Sequence, residues 1–218
     1  VQDVPVLIIG QTGTGKELLT RAYAEAWCSQ QKTDIERDSG TLNCVGISEN
    51  LLQAELFGVA KGAFTGADAD RKGYVDQFRL LCLDELGDAD AAFQTQLLRV
   101  VEYGDYYRLG DPEKKQCGTR FIASTNNFQG IRADLSYRFH LVNILPLALR
   151  PSDFVALINH FGEKYQITSF TERFAAWAVY YTWPGNAREL LRYCEAAVRV
   201  EDGILDMPVV QAVVERNP

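Results

Sequence analysis

The stretch Gly10-Gln11-Thr12-Gly13-Thr14-Gly15-Lys16 limits what this chain can fold into more than any other. It follows an apolar run at 5–9 that reads as a strand, and it precedes a segment of helical periodicity that starts at Glu17. Glycines let backbone N–H groups turn toward an anion, the N-terminus of the next helix adds positive potential, and a lysine at this spacing reaches the β and γ phosphates of a nucleotide. An ordinary glycine-rich turn would require neither flank, so the strand and helix together favour a phosphate loop. Such a loop sits at the end of a sheet strand, which selects an α/β fold. Glu17 stands where a Ser or Thr hydroxyl would ordinarily ligate magnesium, so a metal ion must draw its ligands from elsewhere.

A second element of the expected form is Leu80-Leu81-Cys82-Leu83-Asp84-Glu85, an apolar buried strand ending in two acids. Ligands in sheets of this kind bind beyond the strand C-termini. Asp84 is expected to hold Mg2+, directly or through water, and Glu85 to orient and activate an attacking water. The bland alternative is that the two acids only open a loop or cap a helix. The chain contains no Asn-Lys-x-Asp sequence of the guanine-reading type, so ATP is favoured over GTP.

Alternating apolar runs and helical segments fill the first two thirds of the chain. Strands are expected at 5–9, 42–45, 80–83, 120–124 and 141–145, with amphipathic helices at 17–29, 49–57 and 92–102. From about Arg150 the strands are expected to stop, leaving helices at 153–165, 172–181, 187–200 and 208–216. The expected architecture is a parallel five-stranded sheet flanked by helices over 1–149, with a small C-terminal α-helical lid over 150–218.

Composition supports a folded domain: 47% of the 218 residues are hydrophobic and 23% charged. The longest apolar stretches, 4–9 and 174–181, fall far below the roughly 18 residues of a membrane span, so no membrane partner is expected. A net charge of −7 opposes general binding to nucleic acid, so contact with DNA must be local or indirect. Five scattered cysteines without a CxxC pair argue against a disulfide framework or a zinc site and fit a reducing, cytoplasmic setting. The chain opens on Val1 and enters a strand almost at once, as a piece of a longer protein would.

Glu55-Leu56-Phe57-Gly58 is followed by Lys61-Gly62-Ala63-Phe64-Thr65-Gly66-Ala67. With the phosphate loop, the Leu-Asp-Glu-Leu-Gly-Asp run at 83–88, Leu-Leu-Arg-Val-Val-Glu at 97–102 and Trp183-Pro184-Gly185-Asn186-Ala187-Arg188-Glu189-Leu190, these residues resemble the AAA+ ATPase domain of bacterial enhancer-binding activators of sigma-54 RNA polymerase. The resemblance covers nearly the whole chain, and Gly62 to Ala67 match the family's GAFTGA loop in full. In that family a phosphate loop followed by Glu is usual.

The resemblance implies an ATP-hydrolysing ring, a homo-oligomer of six or seven members, that engages sigma-54 and the RNA polymerase holoenzyme through Phe64 and Thr65. It implies that Asn43 hydrogen-bonds the catalytic Glu85, that Asn126 reads the γ phosphate, and that Arg132 and Arg138 reach into the neighbouring subunit's nucleotide. Arg188 corresponds to the second sensor. DNA would be reached only through a domain outside this chain.

Read from the residues alone, several of these positions stay open. A Phe among glycines and small residues suits presentation to a partner, but by spacing alone a tight hairpin with Phe64 tucked into the core is the favoured reading, and only the family resemblance reverses it. Asn43 would also serve a nearby turn. On a continuous helix Arg132 and Arg138 point far apart, so both meet one phosphate only if a helix begins or ends between them. Asn186 and Glu189 have the spacing of a capping box, which predicts a helix starting at Ala187. Trp183 and the stripe Leu190, Leu191, Cys194 and Val198 are expected in a core.

The chain departs from the family pattern at Asp76-Gln77-Phe78-Arg79, in the short stretch from Asn127 to Arg132, and at Ala148-Leu149-Arg150-Pro151. Those abbreviated loops keep a second reading in view, a nucleotide-controlled oligomerisation module without coupling to sigma-54.

Overall fold

The structure is a computed structural model that describes residues 4–65, 67–165, 167, 169–200 and 203–215. These form two compact units, one running up to Ile9 and then over Lys16–Asn143, the other combining Gly10–Gly15 with the chain from Ile144 onward.

The first unit is built on β1 (Val6–Gly10), β2 (Ser39–Asn43), β3 (Leu80–Asp84), β4 (Arg120–Thr125) and β5 (His140–Ile144), which form a five-stranded sheet in the order β2-β3-β4-β1-β5. The β2–β3, β3–β4 and β4–β1 pairs run parallel. Leu7, Leu80, Leu81, Leu83, Ile122 and Ala123 are fully buried, as expected of strands covered on both faces. Helices α1 (Lys16–Gln31), α2 (Glu49–Phe57) and α3 (Ala91–Tyr103) follow the sequence expectation to within two residues at each end. Asp90 caps α3 by accepting from Phe93 N, and Gly104 closes it in the left-handed conformation.

Strand β2 differs from expectation: it starts at Ser39 rather than Leu42 and ends at Asn43 rather than Val45. As the edge strand it pairs on one side and is half exposed, so Ser39-Gly40-Thr41 extends without an apolar pattern. The turn made by the Asn43 side chain ends it.

The second unit is helical: α4 (Pro151–Tyr165), α5 (Glu172–Tyr180), α6 (Asn186–Val200) and α7 (Met207–Glu215). Phe174, Trp183, Leu190, Tyr193, Cys194 and Val209 form its centre. Trp177 stacks on Tyr181 at 4.5 Å, and Trp183 Nε1 donates to Ala178 O at 2.9 Å. The buried stripe of α6 is Leu190, Tyr193, Cys194 and Ala197, whereas Leu191 is half-buried and Val198 exposed. Eight residues at 100° carry Val198 about 80° around the helix from Leu190, off the buried face.

The expectation that strands end near Arg150 is also corrected. Ser169–Phe170 and Ile204–Leu205 pair in parallel. Two extended residues carry no period, so no sequence pattern marks them.

Candidate nucleotide site and partner loop

The sequence-predicted residues divide between the two units. In the sheet unit the strand ends lie level, because Asn43 is the register partner of Asp84 and Leu83 that of Ala123. Asp84 ends β3, and the Ser124 hydroxyl on β4 donates to its Oδ1. Glu85 then turns the chain out of the strand in a left-handed conformation, φ +52°. A non-glycine residue held there costs on the order of 1–3 kcal/mol and persists only where its surroundings fix it.

Three contacts fix Glu85. Lys16 Nζ approaches Oε1 at 3.3 Å, Asn126 N donates to Oε2 at 2.8 Å, and Asn126 Nδ2 donates to Oε1 at 3.3 Å. Lys16 itself is buried at the start of α1. Glu17 is exposed in the first turn of that helix, where its negative charge opposes the positive end of the dipole.

Asn43 does not reach Glu85: among the described residues no hydrogen bond joins them. Its Oδ1 instead accepts from Val45 N at 2.9 Å, a local turn that satisfies the short amide where the strand ends. Glu85 is held instead by Lys16 and Asn126.

Arg132 and Arg138 flank a four-residue helix, Ala133–Ser136, so a helix both begins and ends between them. They are exposed and held by different acids, Arg132 by Asp134 at 2.6 Å and Arg138 by Glu102 at 2.6 Å. The Arg132 backbone N–H donates to Gln94 Oε1, which seats the start of this helix against α3.

The segment carrying Phe64 has a fixed base and an open tip. Gly58–Val59 pairs antiparallel with Arg71–Lys72, Arg71 is salt-bridged to Glu55, and Leu109 lies beside Val59 with Ala60 N donating to Leu109 O. At the tip Gly62 N donates to Ala67 O at 2.8 Å and Ala67 N to Phe64 O at 3.0 Å. Gly62 adopts φ +83°, and Ala63 packs on Gly110 so closely that a Cβ there would lie 2.4 Å from the Ala63 Cβ. Phe64 is 55% exposed, and Thr65 is exposed as well, so the phenyl ring is presented rather than tucked into the core. Gly66 lies outside the described residues.

In the helical unit, Gly10–Gly15 form a tight turn. Thr14 is buried, and both its N–H and its hydroxyl donate to Gln11 O. Gly13 and Gly15 adopt φ +77° and +101°, and a Cβ at Gly13 would come within 2.2 Å of Gly185 O. Among the described residues, its chain neighbours aside, nothing lies within 4 Å of where a Gly15 Cβ would be.

Asn186 is not the cap its spacing predicts. It begins α6 at φ +53°, fully buried, with Oδ1 accepting from Leu147 N at 2.8 Å and Nδ2 donating to Thr12 O at 3.0 Å. Glu189 still reaches back, but to Gly185 N. Arg188 is exposed in the first turn, its Cβ 3.0 Å from the position of a Gly13 Cβ.

Two contributors escaped the sequence reading, Ser124 on Asp84 and Arg150, whose Nη2 donates to Thr14 O at 2.6 Å. Neither lies in a motif; strand order alone reveals the first and tertiary folding the second.

A parallel sheet with a glycine loop after β1, a buried lysine and an Asp-Glu pair at the end of β3, one strand removed from β1, defines a P-loop ATPase of the AAA+ class. The chain belongs to the Sigma-54 interaction domain family, whose profile matches residues 1–145. It is 38% identical over 205 residues to the anaerobic nitric oxide reductase transcription regulator NorR of Aliivibrio fischeri, covering 86% of this chain and 39% of that protein. It is 36% identical over 231 residues to the Psp operon transcriptional activator of Escherichia coli, covering 98% of this chain and 69% of that protein. The chain thus spans only part of such relatives. Its fold resembles NtrX from Brucella abortus, crystallised with ADP, at a TM-score of 0.76 and 24% identity over 99% of this chain and 51% of that one. No helix among the described residues is long and apolar enough to cross a membrane.

Proposed function

We propose that the chain binds ATP with Mg2+ and hydrolyses it as a subunit of a homo-oligomeric ring, using the reaction to remodel sigma-54 RNA polymerase toward the open complex. The carrying observation is Glu85, whose carboxylate is oriented by Lys16 and Asn126 at the end of β3. A carboxylate fixed in this way is suited to align a water for attack on the terminal phosphate and to accept its proton. Lys16 exchanges Glu85 for the β and γ phosphates when nucleotide enters, which frees the carboxylate for the water. Asn126 would sense that exchange, a reading supported by its hydrogen bonds to the same carboxylate.

Asp84 fits Mg2+: it is an oxygen donor oriented by Ser124, and Mg2+ is commonly held by one or two carboxylates with phosphates and water completing its shell. When bound, the ion would neutralise charge on the phosphate oxygens.

Arg132 and Arg138 would leave Asp134 and Glu102 to stabilise transition-state charge in the neighbouring subunit. Fingers of this kind contribute about 10³ to 10⁵ in rate in other P-loop enzymes. Phe64 and Thr65 supply the contact with sigma-54; Arg188 reports the nucleotide to the helical unit. DNA tethering is left to other parts of a longer protein.

Glu85→Gln tests the reading. The variant is expected to retain ATP binding while turnover falls by about 10²- to 10⁴-fold, the usual contribution of a positioned base. Unimpaired phosphate release would overturn the assignment.

A further inference from the structure

The carbonyl groups of the phosphate loop are not left to solvent. Thr12 O accepts from Asn186 Nδ2 at 3.0 Å, Gly13 O from Ala187 N at 3.0 Å and Thr14 O from Arg150 Nη2 at 2.6 Å. No described peptide bond is cis, and in a planar trans peptide the C=O of one residue and the N–H of the next point in opposite directions. Holding the Thr12 carbonyl therefore aims the Gly13 N–H, and holding the Thr14 carbonyl aims the Gly15 N–H. The Thr14 N–H, aimed in the same way through Gly13 O, is spent on Gln11 O within the turn. Of these three amides, the one bonded within the turn follows a carbonyl held by a backbone N–H, and the other two follow carbonyls held by side chains.

We infer that Asn186 and Arg150 are positioning residues for phosphate binding, acting through the carbonyls of Thr12 and Thr14 to orient the Gly13 and Gly15 N–H groups. The inference rests on the proposed ATP site and adds two residues to it. Asn186 is suited to the task in a way few side chains are. An amide has a donor end for Thr12 O and an acceptor end for Leu147 N, and Asn tolerates the left-handed conformation that buries it. Arg150 is braced in turn, with Nη1 on Asp153 Oδ2 at 3.2 Å. Flexible glycines otherwise sample many loop conformations, and fixing the donors in advance removes that cost from binding.

The test compares ATP and adenosine binding to the intact protein, its Asn186→Asp variant and its Arg150→Met variant, each checked for folding by thermal melting. Asn186→Asp keeps the acceptor for Leu147 N and sets a carboxylate oxygen against the Thr12 carbonyl. Arg150→Met preserves length and apolar bulk without donors, and Arg150→Lys restores one donor. Affinity for ATP is expected to fall at least tenfold in either variant while affinity for adenosine, which has no phosphate, stays within twofold, and Arg150→Lys should recover part of the loss.

Equal losses for both ligands, or ATP affinity within twofold of the parent in a folded Arg150→Met protein, would overturn the inference. A parent protein that binds adenosine and ATP alike would instead overturn the ATP site itself. Should Asn186→Asp fail to fold, the Arg150 pair decides the matter.

Discussion

Asp105, almost fully buried, lies between Lys114 Nζ at 2.8 Å and Arg99 Nε at 2.6 Å, and these cations hold its carboxyl below the usual carboxylate range. Because the folded state favours the ionised form, the stabilisation is complete above the ordinary Asp pKa of about 4 and is lost as pH falls through the lowered value. Asp105→Asn should flatten the acid limb of the stability curve, read as melting temperature against pH between neutral and strongly acidic buffers. An unchanged slope would refute this. The sequence exposes Lys16, Asp84 and Glu85 because their meaning lies in adjacent residues. It hides Ser124, Arg150 and Asn186, whose partners lie 40, 136 and 174 residues away along the chain. Asn186 misleads because its spacing to Glu189 imitates a cap, while burial and a left-handed backbone assign both ends of its amide elsewhere.

Among the elements, the five sheet strands are legible since each is an apolar run bounded by turn residues, and only the edge strand β2 shifts by more than one residue, its exposed start having no apolar signature. The family departure at Asp76-Gln77-Phe78-Arg79 finds a local use. Asp76 accepts from Gly73 N and from the Tyr106 hydroxyl, and is salt-bridged to Arg108 at 3.0 Å, which ties the short helix Tyr74–Gln77 to the 105–109 segment. That segment in turn supports the base of the Phe64 loop through Leu109. Because the ring is exposed and contributes little to the core, Phe64→Ala should leave melting temperature and basal ATPase nearly unchanged. Capture of sigma-54 in the presence of a transition-state analogue should be lost in the same variant. Retained capture would remove the partner role, and a collapsed ATPase would show that the ring supports the fold.

At the scale of the whole molecule, the charge of −7 opposes general binding to nucleic acid and is compatible with the proposed action on a protein partner. A finger supplied by a neighbour makes activity depend on assembly, so ATPase rate per subunit should rise steeply with protein concentration and then level off. A rate per subunit that is flat from nanomolar to high micromolar concentration would count against Arg132 and Arg138 acting in trans. The loop bearing Phe64 has a mechanical consequence as well. It is a cantilever, clamped where Gly58–Val59 meets Arg71–Lys72 and Leu109, propped at Ala63 by Gly110, and exposed at Phe64 and Thr65. A small rotation at such a clamp becomes a larger excursion at the tip, so any stroke delivered to the proposed partner would be set by the stiffness of the root. Weakening the Arg71–Glu55 brace would therefore blunt the proposed push without touching Phe64 itself.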